Sequence, residues 1–257
     1  MTERRDHYSY TVYADPTTAR RFDQTRFGSP MGQLVAAREA EAFMRFSGPV
    51  AGRTVLDVGT GTGRIALLLA SEGAVVTGID ASDEMLKVAR ERAAAAHAQV
   101  EFRRGDAHTL EFPDRSFDLV VSSRVLMHTP RWPACVAEWC RVARDRVVID
   151  YPSKRSLAML QSVWRRVNYA LGGGTRQPYR VFFDGQLSAA FERNGFRIRD
   201  KERHFVLPIG LYRVFGSPRS AEATEGLLRR LGFNRMFASP VTVLAERCAP
   251  SSSRSQP

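Results

Sequence analysis

The chain has 257 residues and a formal net charge of +11, with 44% hydrophobic and 25% charged side chains. That composition excludes a disordered chain, and the length suits one domain with insertions. The first residues lack the apolar core of a signal peptide, and no apolar run approaches the roughly 18 residues of a membrane span, so we expect a cytoplasmic protein. The three cysteines show no disulfide or metal-ligand spacing, so neither a disulfide framework nor a metal is expected.

Residues 1–50 are rich in aromatic side chains and are predicted to form a helical cover ahead of the first strand. From residue 54 onward, short β-branched runs alternate with helical patterns, which is typical of βαβ units and a parallel sheet with helices on both faces. Ser82 is a predicted N-cap of the helix after the second strand. The predicted strands are residues 54–59, 74–80, 100–106, 117–123 and 145–151.

After residue 151 the alternation is interrupted twice by helical patterns. We expect insertions at about residues 153–183 and 207–238 within a single domain of residues 51–247, with a final strand at 240–247. The tail, residues 248–257, is rich in serine and is expected to be disordered.

The basic excess lies entirely in the C-terminal part of the chain. Residues 1–150 carry 20 basic and 20 acidic side chains, whereas residues 151–257 carry 18 and 7. Such a region suits an anionic small molecule, a membrane surface or RNA.

A glycine-rich turn joins the first predicted strand to the first helix of the alternating region. Gly59, Gly61 and Gly63 give the spacing GxGxG, and Arg64 stands where a dinucleotide fingerprint would have its third glycine. A backbone without side chains at the carboxyl end of a parallel strand lets a ligand approach closely. The spacing therefore predicts a ligand site other than a pyrophosphate cradle.

Three acidic residues lie at or next to the ends of the first three strands. Asp80 ends the second strand, where a carboxylate can accept hydrogen bonds from two ribose hydroxyls. Asp106 ends the third strand and is placed to accept from an adenine amine, while Asp57 precedes the glycine turn and is expected to orient it. An acidic rim repels phosphate and favours a cationic ligand, which predicts S-adenosylmethionine as the cofactor.

Four motifs follow one another in the order VLDVGTGTG (55–63), GID (78–80), GDA (105–107) and FPDRSFDLVVSSRVLMH (112–128). This succession resembles the class I S-adenosylmethionine-dependent methyltransferases, in particular the small-molecule type that includes the ubiquinone and menaquinone biosynthesis enzymes. The resemblance implies an α/β, Rossmann-like fold, a three-layer αβα sandwich whose seven-stranded sheet has the order 3-2-1-4-5-7-6 with the last strand antiparallel. The cofactor-binding residues it implies, together with the acids above, are Asp57, Gly59, Thr60, Gly61, Gly63, Asp80, Ala81, Met85, Asp106, Ala107, Ser122 and Ser123.

Methyl transfer needs alignment of donor and acceptor, and a general base where the acceptor is a hydroxyl or an acidic carbon. His128, just after the fourth strand, is the candidate base, whereas His108 is expected to be an exposed loop residue. SSRV replaces the NPPY-like tetrapeptide of amino-methylating enzymes after that strand. We therefore expect an oxygen or carbon acceptor on a small or lipid-like molecule.

Two alternatives keep the same fold. One is an RNA methyltransferase that uses the basic C-terminal part, and the other is a noncatalytic protein that binds S-adenosylmethionine and a partner. Peripheral membrane contact is compatible with the amphipathic insertions, and nucleic acid is the less favoured partner. A nicotinamide-dependent oxidoreductase is not supported, because Tyr151 and Lys154 are one residue too close for the tyrosine and lysine of that chemistry. The sequence predicts no oligomeric state.

Overall fold

The computed structural model describes residues 15–156, 180–208, 211–212 and 217–249. Seven strands form one sheet in the order β3-β2-β1-β4-β5-β7-β6. Their bounds are β1 (Thr54–Val58), β2 (Val75–Asp80), β3 (Val100–Arg104), β4 (Phe117–Ser122), β5 (Ala143–Tyr151), β6 (Phe196–Phe205) and β7 (Ser239–Arg247). The pairings among β1 to β5 are parallel, and β7 is antiparallel to both β5 and β6. The predicted fold class and strand order are confirmed.

Helices cover both faces of this sheet. They are α1 (Pro16–Phe27), α2 (Pro30–Ser47), α3 (Arg64–Ser71), α4 (Asp83–Ala95), α5 (Trp132–Val142), α6 (Asp184–Arg193), α7 (Pro218–Arg230) and α8 (Asn234–Phe237). A 3₁₀ turn, Leu126–His128, precedes α5. Helices α2, α3 and α4 pack on one face and α5 and α6 on the other.

The core lies on both sides of the central strands because successive side chains of a strand point to opposite faces. Val55 and Leu56 are both fully buried, and they belong to different hydrophobic clusters. On one face Phe43 and Leu86 pack with Val55, and on the other Trp139 packs with Leu56. A strand that is buried on both faces has a nearly continuous run of apolar residues. The segment VLDV has such a run, which is why β1 could be predicted from the sequence.

Local capping fixes where the helices next to the site begin. Asp15 and Ser29 each accept a hydrogen bond from a backbone N–H in the first turn of α1 and α2, and a proline follows each of them. The Ser82 hydroxyl accepts from the Met85 N–H, so the predicted cap of α4 is confirmed.

Most of the first predicted insertion, residues 157–179, lies outside the described residues, as do residues 1–14 and 250–257. In the region of the second, α7 packs beside α2 and α8. No helix in the described ranges is both long enough and apolar enough to cross a bilayer.

Candidate active site

The glycine turn between β1 and α3 has a backbone that side chains would disturb. Gly59, Gly61 and Gly63 all have positive φ, at 71°, 55° and 79°. A Cβ on Gly59 would lie 2.2 Å from Cγ2 of Val125, whereas a Cβ on Gly61 would meet no heavy atom within 4 Å. Gly59 thus allows close packing, and Gly61 leaves open space on the inner side of the turn.

Two carboxylates hold this turn in place. Asp57 Oδ2 accepts the Thr60 hydroxyl at 2.7 Å, and Asp80 accepts the Gly61 N–H and the Ser82 N–H at 2.9 Å each. Burial raises the pKa of Asp57 to about 7, and burial also raises the pKa of Asp80. Asp80 therefore connects the ends of β1 and β2 through its two oxygens.

A cavity with an atom-free volume of about 1090 Å³, including the part open to solvent, lies against the turn. Its walls come from the carboxyl ends of β1, β2 and β4, from the loop after β3, and from α1. Ten of the residues predicted from the sequence line it: Asp57, Gly59, Thr60, Gly61, Asp80, Ala81, Met85, Ala107, Ser123 and His128.

Three of the predicted residues do not line the cavity. Gly63 packs against α4 and β3, since its Cβ would lie 3.1 Å from atoms of both Ala89 and Phe102. The Ser122 hydroxyl donates to the Val58 carbonyl oxygen at 2.9 Å. Asp106 contacts the His108 backbone N–H and ring Nδ1 through one oxygen, at 2.9 and 2.7 Å. These three residues contact neighbouring residues of the fold and do not face the cavity.

The expectation that His108 is an exposed loop residue is wrong. Its side chain is only 5% exposed and lines the cavity, because the bond from the ring to Asp106 folds it inward. His128 lies at the end of the 3₁₀ turn and also lines the cavity.

Helix α1 supplies cavity residues that the sequence motifs did not identify. Phe22, Asp23, Arg26 and Phe27 all face the cavity. Asp23 also accepts the Thr62 hydroxyl at 3.0 Å and forms an ion pair with Arg92 of α4. These contacts fasten α1 to the glycine turn and to α4.

A buried charge cluster forms the wall next to β4. Glu39 of α2 is 3% exposed and pairs with Arg64 at 2.7 Å and with Arg124 at 3.2 Å. It also accepts the Ser123 hydroxyl. Burial opposes ionisation of Glu39, but Arg124, Arg64 and the Ser123 hydroxyl outweigh it and lower the pKa of that carboxyl. Glu39 lies outside all four motifs, and Arg124, although it lies within the motif at 112–128, was not predicted as a site residue; Ser123 is the one member of this cluster that was predicted.

Arg124 adopts a left-handed backbone conformation, with φ of 59°. Its N–H donates to Oδ1 of Asp150, which is buried at the end of β5. Burial, together with the nearby Glu39 charge, raises the pKa of Asp150 to about 7. With Arg26, Arg64 and Arg124 in its walls, the cavity has mixed charge rather than the acidic rim expected from the three aspartates.

The central part of the chain matches a known family. Residues 55–146 match the family described as "Methyltransferase domain". Over these residues the chain is similar to methyltransferase domains. The match and the fold agree with the predicted family, the predicted S-adenosylmethionine-dependent enzyme class and the predicted cofactor.

The chain is also similar to curated and solved proteins. It is 38% identical over 128 residues to a phosphatidylethanolamine N-methyltransferase of Cereibacter sphaeroides, covering 47% of this chain and 63% of that protein. It is 34% identical over 129 residues to a demethylmenaquinone methyltransferase of Thermus thermophilus, covering 47% and 59%. A magnesium protoporphyrin IX methyltransferase from Synechocystis PCC 6803, solved with bound SAH, superposes with a TM-score of 0.60 at 22% identity over 84% of each chain. The matches thus cover less than two thirds of these curated relatives.

The residues of the cavity fit S-adenosylmethionine. A Cβ on Gly61 would meet no heavy atom within 4 Å, the Asp80 carboxylate accepts the Gly61 N–H, and Ala81, Met85 and Ala107 add apolar surface to the same cavity. A nucleoside needs this combination of a backbone turn, an acceptor for hydroxyls and an apolar wall.

Proposed function

We propose that this chain transfers a methyl group from S-adenosylmethionine to an oxygen or carbon of a small-molecule or lipid-like acceptor. One observation carries the proposal: the glycine turn, Asp80, His128 and the aromatic side chains of α1 line a single cavity. The names of the relatives include a phosphatidylethanolamine N-methyltransferase and a demethylmenaquinone methyltransferase, which supports a small-molecule or lipid-like acceptor. The first of these names specifies nitrogen, so the choice of oxygen or carbon rests on the SSRV segment after β4 alone.

The chemistry requires few groups from the protein. The cofactor, when bound, supplies a methyl group on a sulfonium whose thioether is already a good leaving group. Asp80 and the glycine turn would hold the nucleoside, and Phe22 and Phe27 would exclude water from the cavity. His128 would accept the proton of an acceptor hydroxyl or acidic carbon.

Cofactor binding tests the first half of the proposal. Replacing Asp80 with alanine removes the acceptor for the Gly61 N–H and for ribose, so the dissociation constant of S-adenosylmethionine should rise about 30-fold, as for a lost charged hydrogen bond. Asp83→Ala is the matched control, because Asp83 is exposed and pairs only with Arg104 on the surface in the described contacts. Unchanged affinity in Asp80→Ala would contradict the assignment.

Transfer of labelled methyl groups to an extract of small molecules and lipids tests the second half. The labelled product, identified by mass spectrometry, should carry the label on oxygen or carbon; label on nitrogen would contradict that part. His128→Gln should lower the transfer rate about 100-fold with cofactor affinity unchanged. Normal cofactor binding without any labelled product would favour the noncatalytic alternative.

A further inference from the structure

We propose that Glu39 is a positioning residue of the cofactor cavity, whose ionised carboxylate keeps the cavity able to accept a cationic ligand. The inference rests on the proposed function, because a sulfonium is the cation concerned. Glu39 lies in α2, outside the matched methyltransferase domain, and its carboxylate contacts side chains from α3 and from the loop after β4.

The first step is the charge of the cavity walls. Three arginines line the cavity, and a guanidinium keeps its charge at every working pH. Burial raises the pKa of Asp57 to about 7, which weakens the negative charge of this carboxylate near neutral pH, and burial also raises the pKa of Asp80. Asp23 also lines the cavity, but it is paired with Arg92, so the guanidiniums of Arg64 and Arg124 need another counter-charge if the cavity is to accept a sulfonium.

The second step is the state of Glu39. Its pKa is lowered despite its burial, by its contacts with Arg124 and Arg64, so it stays ionised where Asp57 does not. Its negative charge offsets the positive charges of these two guanidiniums. Its hydrogen bonds also fix the positions of the guanidiniums and of the Ser123 hydroxyl. Glu39 does not itself line the cavity, but through its contacts with Arg64, Arg124 and Ser123 it supplies both charge balance and geometry to this wall.

The test compares two ligands that differ in charge at sulfur. S-adenosylmethionine carries a sulfonium, whereas S-adenosylhomocysteine carries a neutral thioether on an otherwise equal body. In Glu39→Gln the dissociation constant of S-adenosylmethionine, measured by calorimetry, should rise about tenfold more than that of S-adenosylhomocysteine. Glu41→Gln, two residues along the same helix and exposed, should change neither.

The outcomes separate the possible roles. An equal loss of affinity for both ligands would show that Glu39 has only a structural role and would overturn the proposal. Failure of the unaltered chain to bind either ligand would instead overturn the proposed function. If Glu39→Gln does not fold, Arg64→Gln tests the same proposal, and the expected change in ligand preference is then the opposite one. That variant removes a positive charge from the wall and should favour S-adenosylmethionine over S-adenosylhomocysteine; no change in the ratio would also overturn the proposal.

A separate observation concerns the outer surface of α7 and the turn that follows it. Leu227, Leu231 and Phe233 are 59%, 62% and 44% exposed, although they are large apolar residues. Exposed arginines flank them at positions 229, 230 and 235. We call these six residues the α7 patch, and it lies within the basic C-terminal part of the chain.

We infer that the α7 patch docks on an anionic membrane surface. Leu227 and Leu231 are four residues apart, so they lie on one side of the helix, with Arg230 beside them. Apolar side chains flanked by basic ones are suited to the boundary of a bilayer with anionic head groups. Each arginine near such a surface adds about 1 kcal/mol to the free energy of membrane binding. Arg229, Arg230 and Arg235 are exposed, although Arg229 and Arg230 also line a surface cavity with Glu222 and Glu225.

Sedimentation with lipid vesicles tests the patch. The full chain should bind vesicles of equal parts phosphatidylcholine and phosphatidylglycerol and should not bind phosphatidylcholine alone. Leu231→Ser should weaken binding about fivefold and the pair Arg229→Gln and Arg230→Gln about tenfold. Val75→Ser is the control, because Val75 is 61% exposed at a distant site.

Two results would overturn the membrane assignment. One is equal binding to both kinds of vesicle or to neither. The other is binding to single-stranded RNA that the paired arginine variant abolishes and Leu231→Ser leaves intact, because RNA needs the charges and not the leucine.

Discussion

The glycine turn with its two aspartates and helix α1 of the cover form walls of the same cavity, and α2 contacts those walls through Glu39, but the turn and the cover relate to the sequence differently. The turn is built by the motif residues from Asp57 to Gly63, together with Asp80 at the end of the next strand, which is itself part of a motif. Glu39 of the cover reaches Arg64 over 25 positions and Ser123 over 84. A contiguous motif therefore identifies the ligand, whereas the charge balance of the site depends on contacts that only the folded chain creates.

The sharpest test of the turn is Gly59→Ala. The added Cβ would lie 2.2 Å from Val125 Cγ2, at a backbone φ of 71°, and Val125 itself lines the cavity. We expect the free energy of unfolding to fall by about 3 kcal/mol and affinity for S-adenosylhomocysteine to fall at least about 100-fold.

Gly52→Ala controls for the backbone contribution to this loss. Gly52 has a φ of 73°, and a Cβ there would meet nothing within 4 Å. It should lose about 1 kcal/mol of stability and no affinity. If the two variants behave alike in calorimetry, the close packing of Gly59 against Val125 is not what shapes the cavity.

The protonation of Asp57 gives a second test of the glycine turn, one that does not involve the cover. The pKa of Asp57 is raised by burial from 3.8 to about 7, so between these pH values the folded chain keeps a proton that the unfolded chain has released. This carboxyl therefore makes the free energy of unfolding fall as pH rises from about 4 to about 7, and the loss persists above that range. Asp57→Asn removes this dependence, so its stability relative to the unaltered chain should increase by about 4 kcal/mol across that interval.

Asp118→Asn should show the opposite trend in the same denaturation series. Hydrogen bonds from the Thr54 N–H and hydroxyl, together with Arg144, lower the pKa of Asp118, so its carboxylate stabilises the fold above the ordinary pKa and loses this effect in acid. If the free energy of unfolding depended on pH in the same way in both variants, burial would not be what sets the pKa of Asp57.

The strand order was predicted through the family resemblance, and ten residues of the cavity were predicted because the motifs that contain them are local patterns in the chain. The sequence misplaced His108, because an inward turn of a loop depends on the bond between its ring and Asp106. It missed Glu39, since a glutamate in an amphipathic helix reads as a surface residue until the fold places it beside Arg64 and Arg124. Motifs identify backbone sites, whereas buried ion pairs between distant segments leave no pattern in one sequence.

The smallest expected effect concerns the attachment of the cover to the turn. Asp23 of α1 accepts the Thr62 hydroxyl and pairs with Arg92, and both charged side chains are partly exposed, so this contact contributes at most about 1 kcal/mol. Asp23→Asn should therefore speed dissociation of S-adenosylhomocysteine about threefold in stopped-flow measurements. Gln24→Ala, on the exposed side of α1, should leave the rate unchanged. A rate equal to that of the unaltered chain would mean that α1 stays closed through Phe22 and Phe27 alone, and that the cover, unlike the turn, needs no polar anchor.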